Sequence, residues 1–317
     1  MMIKSNSIEM KKAIKTLKPS PPVVTVNHIT HQSALETFNR VISFFSEQLS
    51  KNVDVISIKV NLCDYRLAES GATTDPELLE ALVISLRNRF KEAKINIIEN
   101  DATSVEANSL FSLLGFNAVA ERCNINLVNV ANSDWIIKKV PNGMYFKELE
   151  IPRVLQESDI LINFAKLKTN ALTKTTGALK NMFGLIRTKR KSLFHAKIDE
   201  AIADINQVIS PDLCIVDGYI GMEGLGPAFG KPKKCALLIA GVDPVAVDSC
   251  CARIMGFYPR FVRHIVLCER CAIGRIKYRL HTDIDNFSYS DYKFEFPGLE
   301  YMLRSMLRRH FHIGAAG

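Results

Sequence analysis

Two hydrophobic patterns alternate along the first third of the chain. Residues 22–28, 53–61 and 94–101 are short runs rich in Val and Ile, which is typical of β-strands. In residues 31–49 and 74–90, apolar side chains recur every three or four positions, which predicts amphipathic helices. The order strand, helix, strand, helix, strand indicates an α/β protein with a mainly parallel sheet flanked by helices.

Capping residues mark where two of the helices should begin. Thr74 can act as an N-cap, and Glu77 three positions later has the spacing of a capping box. Pro76 suits the first turn, where a backbone N–H is not needed. Asp243 followed by Pro244 predicts a second helix start of the same kind.

Beyond residue 100 the pattern is less regular, and each element is predicted from its own composition. Further helices are predicted at 104–123, 154–157, 175–185, 198–210, 243–256, 260–272 and 298–312. Further strands are predicted at 126–130, 159–165, 211–219 with Asp217 at its end, and 235–242, with a Gly/Pro loop at 222–233. Thr175 or Thr176 would be the N-cap of the helix at 175–185, and Gly184 its C-cap.

These elements predict a single α/β core domain at residues 21–275. A flexible lead-in, residues 1–20, would precede it, and an extension with a helical C-terminus, residues 276–317, would follow. Pro141-Asn142-Gly143 has the composition of a hairpin turn, so a small antiparallel addition is expected at about 135–150.

Composition narrows the class of protein. Of 317 residues, 47% are apolar and 23% are charged, as in folded soluble proteins. The sequence has no uninterrupted apolar run of about eighteen residues, so no membrane-spanning helix is expected. Its N-terminus lacks the apolar core of a secretory signal, and its eight cysteines are scattered. A reducing cytoplasm is therefore the expected location.

Positive charge is concentrated in one segment. Residues 160–198 contain nine Lys or Arg and no Asp or Glu, although the whole chain has a formal charge of only +8. The remainder of the chain therefore sums to −1, which is 8 − 9. This segment follows an apolar strand and is mixed with Thr, Asn and Gly, so ammonium, hydroxyl and amide donors can gather around an anion.

Ligands of parallel sheets bind beyond the carboxyl ends of the strands, and this rule selects the candidate site. The expected anion-binding residues lie at strand ends, in the basic segment and in the Gly-rich loop: Lys59, Asn61, Lys166, Lys168, Thr175, Thr176, Lys180, Asn181, Gly224 and Gly226. The basic run at residues 187–191 is a separate loop that would be a lid, a partner contact or solvated surface.

Acidic residues and one histidine supply candidate proton-transfer groups. His195, Asp217 and Glu223 are expected to be catalytic, because each can move a proton near a bound anion. Asp101 and Asp243 are candidate Mg²⁺ ligands for the same site. Each of these carboxylates could instead cap a helix or pair with the basic segment.

The spacing Cys268-Glu-Arg-Cys271 suggests a different function. Two cysteines separated by two residues can bind a metal or form a redox pair, but the sequence has no second pair with matching spacing. Two structural thiols are the simpler interpretation. The excess of positive charge also leaves open a basic nucleic-acid-binding protein, although the segment lacks the interleaved aromatic residues that stack on bases.

Several short motifs together resemble one known family. They occur in this order: Lys59-Val-Asn61, Thr73-Thr-Asp75-Pro76, Asn163-Phe-Ala-Lys166-Leu-Lys168-Thr169, Gly177-Ala-Leu-Lys180-Asn181-Met-Phe-Gly184, His195, Asp217, Met222-Glu223-Gly224-Leu-Gly226-Pro227 and Asp243-Pro-Val-Ala-Val-Asp248. Over roughly residues 53–275 they resemble the family catalogued as domain of unknown function 362. The resemblance implies no settled reaction. It implies iron–sulfur clusters in many relatives through a ferredoxin-type cysteine run, which this chain lacks.

Three functions therefore remain open from the sequence. The leading one is an enzyme acting on a small phosphate or carboxylate at the strand carboxyl ends. The second is an iron–sulfur or metal-linked redox or trafficking protein that uses Cys268 and Cys271. The third is a nucleic-acid-binding protein.

Overall fold

A computed structural model describes residues 20–49, 52–103 and 105–296. Its strands are β1 (Val23–His28), β2 (Val55–Lys59), β3 (Lys94–Glu99), β4 (Asn126–Asn129), β5 (Trp135–Lys139), β6 (Glu148–Pro152), β7 (Ile160–Asn170), β8 (Lys174–Thr176), β9 (Leu213–Glu223), β10 (Lys231–Gly241) and β11 (Arg279–Thr282). Its α-helices are α1 (Ala34–Phe44), α2 (Pro76–Arg89), α3 (Ala107–Leu113), α4 (Phe116–Cys123), α5 (Val154–Glu157), α6 (Ala178–Phe183), α7 (Ile198–Val208), α8 (Pro244–Ile254) and α9 (Arg263–Arg270). The predicted C-terminal helix at 298–312 and nearly all of the predicted lead-in lie outside the described residues.

The strands form one large mixed sheet in the order β11-β1-β10-β9-β7-β2-β3-β4, with β8 paired to β7. The neighbours from β9 to β4 are all parallel, as are β1 and β11, whereas β10 is antiparallel to both β1 and β9. Strands β5 and β6 form a separate antiparallel pair. The prediction of a mainly parallel α/β fold with a small antiparallel addition is confirmed.

Helices cover both faces of the large sheet. On one face, Phe38 of α1, Leu82 of α2 and Phe111 of α3 share a buried core with strand residues such as Ile58. On the other face, α6, α7 and α9 build a second core and α8 a third. Burial on both faces explains why the central strands are nearly continuous apolar runs.

The hairpin between β9 and β10 was not predicted. The sequence indicated a strand ending at Asp217 and a long loop at 222–233, whereas β9 continues to Glu223 and pairs antiparallel with β10. Gly241, the last residue of β10, is level with Cys214 near the start of β9. The carboxyl end of β10 therefore lies at the edge of the sheet opposite the carboxyl ends of β7 and β9.

Two predicted helix caps were wrong. Asp75, not Thr74, is the N-cap of α2, and its side chain accepts hydrogen bonds from the N–H groups of Glu77 and Leu78. The Thr74 hydroxyl instead accepts a hydrogen bond from the N–H of Asn61 at 2.8 Å. All three residues of the motif Thr73-Thr-Asp75 are of types that can cap a helix, and the chain uses the last of them.

Helix α6 begins later than predicted. Thr175 and Thr176 lie in β8, and the N-cap of α6 is Gly177. The first N–H groups of the helix donate to the buried carboxylate of Asp248, from Ala178 at 2.6 Å and from Leu179 at 3.0 Å. Asp248, distant in sequence, therefore supplies the cap that a neighbouring threonine was expected to supply.

Asp204 ties the β5–β6 hairpin to α7. Its fully buried carboxylate accepts hydrogen bonds from the N–H groups of Met144, Tyr145 and Phe146 at 2.9, 2.7 and 2.8 Å. A side chain on a helix thus satisfies three consecutive donors of a turn that has no regular pairing of its own.

Replacing Asp204 with Ala should lower the free energy of unfolding by about 2–3 kcal/mol, because charge-assisted hydrogen bonds are lost and backbone donors are left unpaired. Urea denaturation followed by circular dichroism measures this change. Asp134 is a matched control, since it is 84% exposed and its nearest cation, Arg153, is 3.7 Å away. Asp134→Ala should change stability by less than about 0.5 kcal/mol. Equal effects of the two substitutions would contradict the role given to Asp204.

Candidate functional site

The carboxyl ends of β2, β3, β7 and β9 meet at one edge of the sheet, and several polar side chains converge there. Lys59, the last residue of β2, is buried and forms an ion pair with Glu99, the last residue of β3, at 2.6 Å. The Lys59 ammonium also donates to the carbonyl of Val60 at 2.6 Å. Lys59 therefore lies at the predicted edge of the sheet, but its ammonium is already paired with a carboxylate of the protein.

A second buried ion pair joins β7 to β9. The Lys166 ammonium contacts the Asp217 carboxylate at 2.6 Å, and both side chains are almost completely buried. Burial raises the pKa of Asp217, and contact with Lys166 opposes that shift. Asp217 also lies near Asp75, whose carboxylate is 2.8 Å from Nε2 of the partly exposed His31.

Lys168 is fully buried and has a different set of partners. Its ammonium donates to Oδ1 of Asn61 at 2.7 Å, to the carbonyl of Ala72 at 2.6 Å and to Sγ of Cys63 at 3.2 Å. Burial lowers the pKa of Lys168, while Cys63 acts in the opposite direction. Because Lys166 and Lys168 are buried, neither ammonium is available to the backbone of a nucleic acid.

Three amide side chains form a relay beside these lysines. Asn61 donates to Oδ1 of Asn181 at 2.9 Å, and Asn181 donates to Oδ1 of Asn163 at 2.8 Å. Asn163 in turn donates to the carbonyl of Ala178 at 2.7 Å. This chain of hydrogen bonds fixes the start of α6 against the ends of β2 and β7, which explains why asparagines occur at all three positions.

Lys180 differs from the other lysines of the site. Among the described residues it forms no ion pair, and its ammonium lies 5.9 Å from the centre of the Phe183 ring. Burial, together with the nearby charge of Lys168, lowers the pKa of Lys180 to about 8. Lys180 is therefore a partly buried cation to which the described protein supplies no carboxylate at contact distance.

Thr175 and Thr176 of β8 both have buried hydroxyls, but only that of Thr176 lies beside the lysines, because Thr175 is opposite Thr169 and projects from the other face of the sheet. Oγ1 of Thr175 and Oγ1 of Thr176 are buried and have no hydrogen-bond partner among the described residues. Thr176 is directly opposite Lys168 in the β7–β8 pairing, so the two side chains project from the same face of the sheet. Such unsatisfied buried hydroxyls are uncommon and indicate a place where a ligand can bind.

The Gly-rich loop at residues 224–230 lies against the end of β7. A Cβ on Gly226 would be 1.9 Å from the carbonyl oxygen of Thr169, so only glycine allows this approach. The Thr169 hydroxyl donates to the carbonyl of Gly224 at 2.9 Å. Glu223 contacts Lys233 at 3.3 Å and accepts a hydrogen bond from the N–H of Glu295 at 2.8 Å, so it holds the hairpin and the chain at residue 295 together.

The basic loop at residues 187–191 is tied across the end of β3. Lys189 forms an ion pair with Asp101 at 2.7 Å, and Asn100 donates to the carbonyls of Gly184 and Ile186 at 3.0 and 2.9 Å. Burial lowers the pKa of Lys191 to about 7. The loop is therefore a fixed part of this edge and not only solvated surface.

The predicted Mg²⁺ ligands are not brought together. Asp101 accepts a hydrogen bond from the N–H of Ala107 at 2.9 Å at the start of α3, and it pairs with Lys189. Asp243 caps α8 beyond the end of β10, at the opposite edge of the sheet. Within the described ranges, no group of three or more His, Cys, Asp or Glu residues is arranged to hold a metal ion. The antiparallel direction of β10 is the reason that Asp243 lies at the other edge from Asp101.

His195 and the Cys268–Cys271 pair lie on a 3₁₀ turn and at the end of helix α9, not directly at the strand ends. His195 is exposed on a 3₁₀ turn, Lys191–Lys197, that leads into α7. Cys268 is buried in α9, which raises its thiol pKa well above the ordinary value, and Cys271 follows the end of that helix. The described residues around these two cysteines do not supply the further ligands that an iron–sulfur cluster or a zinc ion needs.

Sequence reasoning missed two residues of this edge, Cys63 and His31. Cys63 is not among the predicted site residues, yet it follows β2 by four residues and contacts Lys168. His31 follows β1, whose last residue His28 is level with Leu237 and, through it, with Gly218 of β9. The position of Cys63 just past a strand end was a usable signal, whereas the position of His31 depended on the unpredicted antiparallel pairing of β1.

Two known proteins are similar to parts of this chain. Over 136 residues the chain is 30% identical to the thylakoid-associated protein sll1697 of Synechocystis sp., an alignment that covers 41% of this chain and 42% of that protein. The chain thus matches less than half the length of that relative. The lactate racemase apoprotein of Thermoanaerobacterium thermosaccharolyticum superposes with a TM-score of 0.39 at 11% identity, covering 73% of this chain and 57% of the other.

In the described part of the chain, helices of the length and apolar character needed to cross a membrane do not occur.

The family model described as Domain of unknown function (DUF362) matches residues 56–253. This range contains the buried lysines, the amide relay, Lys180 and the Gly-rich loop. The chain belongs to the DUF362 family.

Proposed function

We propose that this protein is an enzyme that binds a small anion, a phosphate or a carboxylate, at the carboxyl ends of β2 and β7. The observation that carries the proposal is the state of Lys180. Lys59 and Lys166 have carboxylate partners at 2.6 Å, whereas Lys180 has none among the described residues. A partly buried ammonium without a counter-ion is less stable than one in water, and a bound anion would reduce that cost.

The neighbouring groups support an oxygen-rich anion. The buried hydroxyl of Thr176, on the face of the sheet that carries Lys168, lacks a partner among the described residues and can donate a hydrogen bond. Each hydrogen bond to a charged ligand would contribute about 1.5–3 kcal/mol. Lys168 adds positive charge near Lys180 without direct exposure to solvent.

The proposed chemistry is proton transfer by Lys180. With a pKa of about 8, its amine and ammonium forms are both populated near neutral pH. A bound anion stabilises the ammonium form, so Lys180 can donate a proton to the substrate as a general acid. We further propose that the protein is located in the cytoplasm. All eight cysteines are free thiols, which fits a reducing compartment.

Substitution of Lys180 tests the proposal. In the wild-type protein, inorganic phosphate or malonate should raise the thermal midpoint in a concentration-dependent way. Lys180→Met should abolish that rise, because the free cation is lost while the shape of the side chain is roughly retained. Differential scanning fluorimetry across both anions measures the effect.

Lys197 provides the matched control. It lies in the same basic segment, its side chain is 61% exposed, and its nearest carboxylate, Glu200, is 3.8 Å away. Lys197→Met removes the same charge and should leave the anion response unchanged. An anion response that survives in Lys180→Met, or that disappears equally in both variants, would sink the proposal.

A further inference from the structure

A cavity of about 330 Å³ opens beside the last turn of α8, and none of its lining residues belongs to the strand-end site. Its walls come from α8, from the 3₁₀ turn Pro259–Phe261 with the residue before it, from β11 with the residues leading into it, and from the 3₁₀ turn Tyr289–Asp291. This volume is at the lower end of the range found for small-molecule sites. The cavity is therefore large enough for a small ligand and is formed by four separate segments.

The cavity is lined by positive charge. Arg253, Arg260 and Lys277 are among its nine lining residues, all in the described part of the chain, and none of the nine is Asp or Glu. Arg253 and Lys277 form no ion pair with another described residue. Arg260 is 3.5 Å from Glu269. Because three cations around one cavity repel one another, an anion bound between them would be stabilised.

Tyrosine rings form another part of the wall. Tyr258, Tyr278 and Tyr289 all line the cavity. The hydroxyls of Tyr278 and Tyr289 are 2.8 Å apart, so a hydrogen bond holds these two side chains in place. Tyr258 is 54% exposed, and the centre of its ring lies 5.5 Å from that of Phe261. An exposed ring in the wall of a cavity offers a surface on which a planar group can stack.

We propose that this cavity binds a mononucleotide, with its phosphate held by Arg253 and Lys277 and its base against Tyr258. The planar guanidinium of arginine can bind phosphate through two parallel N–H groups, and lysine adds a point charge. A nucleotide carries a phosphate and a planar ring in one small molecule, so it uses both features of the wall. This inference goes beyond the proposed function, because neither Lys180 nor the strand ends take part.

A structural role for the cations is the competing explanation. Arg253 is in the last turn of α8, where a positive charge stabilises the negative end of the helix. Lys277 would then be a solvated charge on the surface. This role does not account for cations from three separate segments around the same cavity. Under the structural explanation the protein does not bind nucleotides saturably, whereas under the proposal it does.

Nearly all of this cavity lies outside the region that defines the family. The family model ends at residue 253, so Arg253 is the one lining residue that it includes. Nucleotide binding here would therefore be a property of the C-terminal part of this chain.

Isothermal titration calorimetry of the intact protein with AMP, GMP, CMP and UMP tests the proposal. We expect saturable binding of at least one of them, tighter than that of its nucleoside or of inorganic phosphate, because each of those lacks half of the recognised ligand. If none of the four nucleotides binds saturably, the proposal is wrong. A nucleotide that binds no more tightly than inorganic phosphate would also overturn it, since the tyrosine wall would then contribute nothing.

Variants with exposed side chains show where the nucleotide binds. Arg253→Gln and Lys277→Gln together should raise the Kd by about tenfold or more, because charge-assisted contacts to the phosphate are lost. Arg279→Gln is the matched control and should leave the Kd unchanged. Arg279 is an exposed cation next to Leu280, which lines the cavity, but side chains alternate along β11, so Arg279 projects from the opposite face.

Two results with these variants would overturn the proposal. One is an equal loss of nucleotide binding in Arg279→Gln and in the double variant. The other is binding that Lys180→Met abolishes and the double variant retains, which would place the nucleotide at the strand ends and leave the proposed function intact. Conversely, nucleotide binding that survives in Lys180→Met and is lost in the double variant supports this site, whatever the anion response of Lys180.

Discussion

Replacing Asp217 with Ala is expected to lower the free energy of unfolding by about 3–5 kcal/mol, because it leaves the Lys166 ammonium buried without a partner. Both side chains are almost completely buried and their charged atoms are 2.6 Å apart. The loss reflects an uncompensated charge more than the strength of the pair itself. Removing both charges with Lys166→Met and Asp217→Leu together should therefore destabilise the protein less than Asp217→Ala alone.

Urea denaturation at neutral pH measures these differences. The pair Arg122 and Glu80 is a surface control, with side chains that are 54 and 24% exposed and a contact of 2.5 Å. Glu80→Gln should cost no more than about 1 kcal/mol, because solvent screens an exposed pair. If Asp217→Ala cost no more than Glu80→Gln, the description of a buried ion pair at the strand ends would be wrong.

The stability of the protein should depend on pH through Asp248. Burial raises the pKa of Asp248 in the folded protein from 3.8 to about 6, although His264 and two backbone N–H groups oppose the shift. Between about pH 4 and about pH 6 the unfolded chain has released this proton and the folded protein still holds it. The contribution of Asp248 to stability therefore decreases as the pH rises through this window, by on the order of 3 kcal/mol in total.

Asp248→Asn isolates this contribution, since asparagine does not titrate and still offers an acceptor to the start of α6. The difference in unfolding free energy between wild type and variant should shift in favour of the variant as the pH rises from about 4 to about 6. A difference that is the same at both ends of the window would show that Asp248 titrates normally in the folded protein.

Local patterns were sufficient to predict the central elements. The continuous apolar runs of β2 and β3 and the periodicity of α2 identify a covered parallel sheet, and the rule of strand carboxyl ends places Lys59 and Asn61 at the correct edge. These predictions succeeded because burial on two faces leaves a strong signal in the sequence itself.

The direction of β10 could not be predicted in the same way. A buried strand has the same apolar composition whether its neighbour is parallel or antiparallel, and the seven residues between β9 and β10 permit a hairpin. The error moved Asp243 to the wrong edge and concealed the position of His31. Both consequences depend on pairing between distant segments, which periodicity does not report.

The partners of the lysines were also beyond sequence reasoning. Nine basic residues in one segment indicated a single anion site, but Glu99 and Asp217 neutralise two of the lysines from other strands. The net positive charge at the site is therefore smaller than the number of basic residues in the segment suggests. What remains is Lys180, together with the thiol–ammonium contact of Cys63 and Lys168.

The most direct test of the central claim is an NMR titration of Lys180 in protein carrying isotope-labelled lysine, with Lys180→Met used to assign its signal. We predict a pKa of about 8 in the free protein and a higher pKa when inorganic phosphate is bound, because the anion stabilises the ammonium. A Lys180 signal with the ordinary pKa of 10.5, or one that phosphate does not change, would contradict the anion-binding role of Lys180.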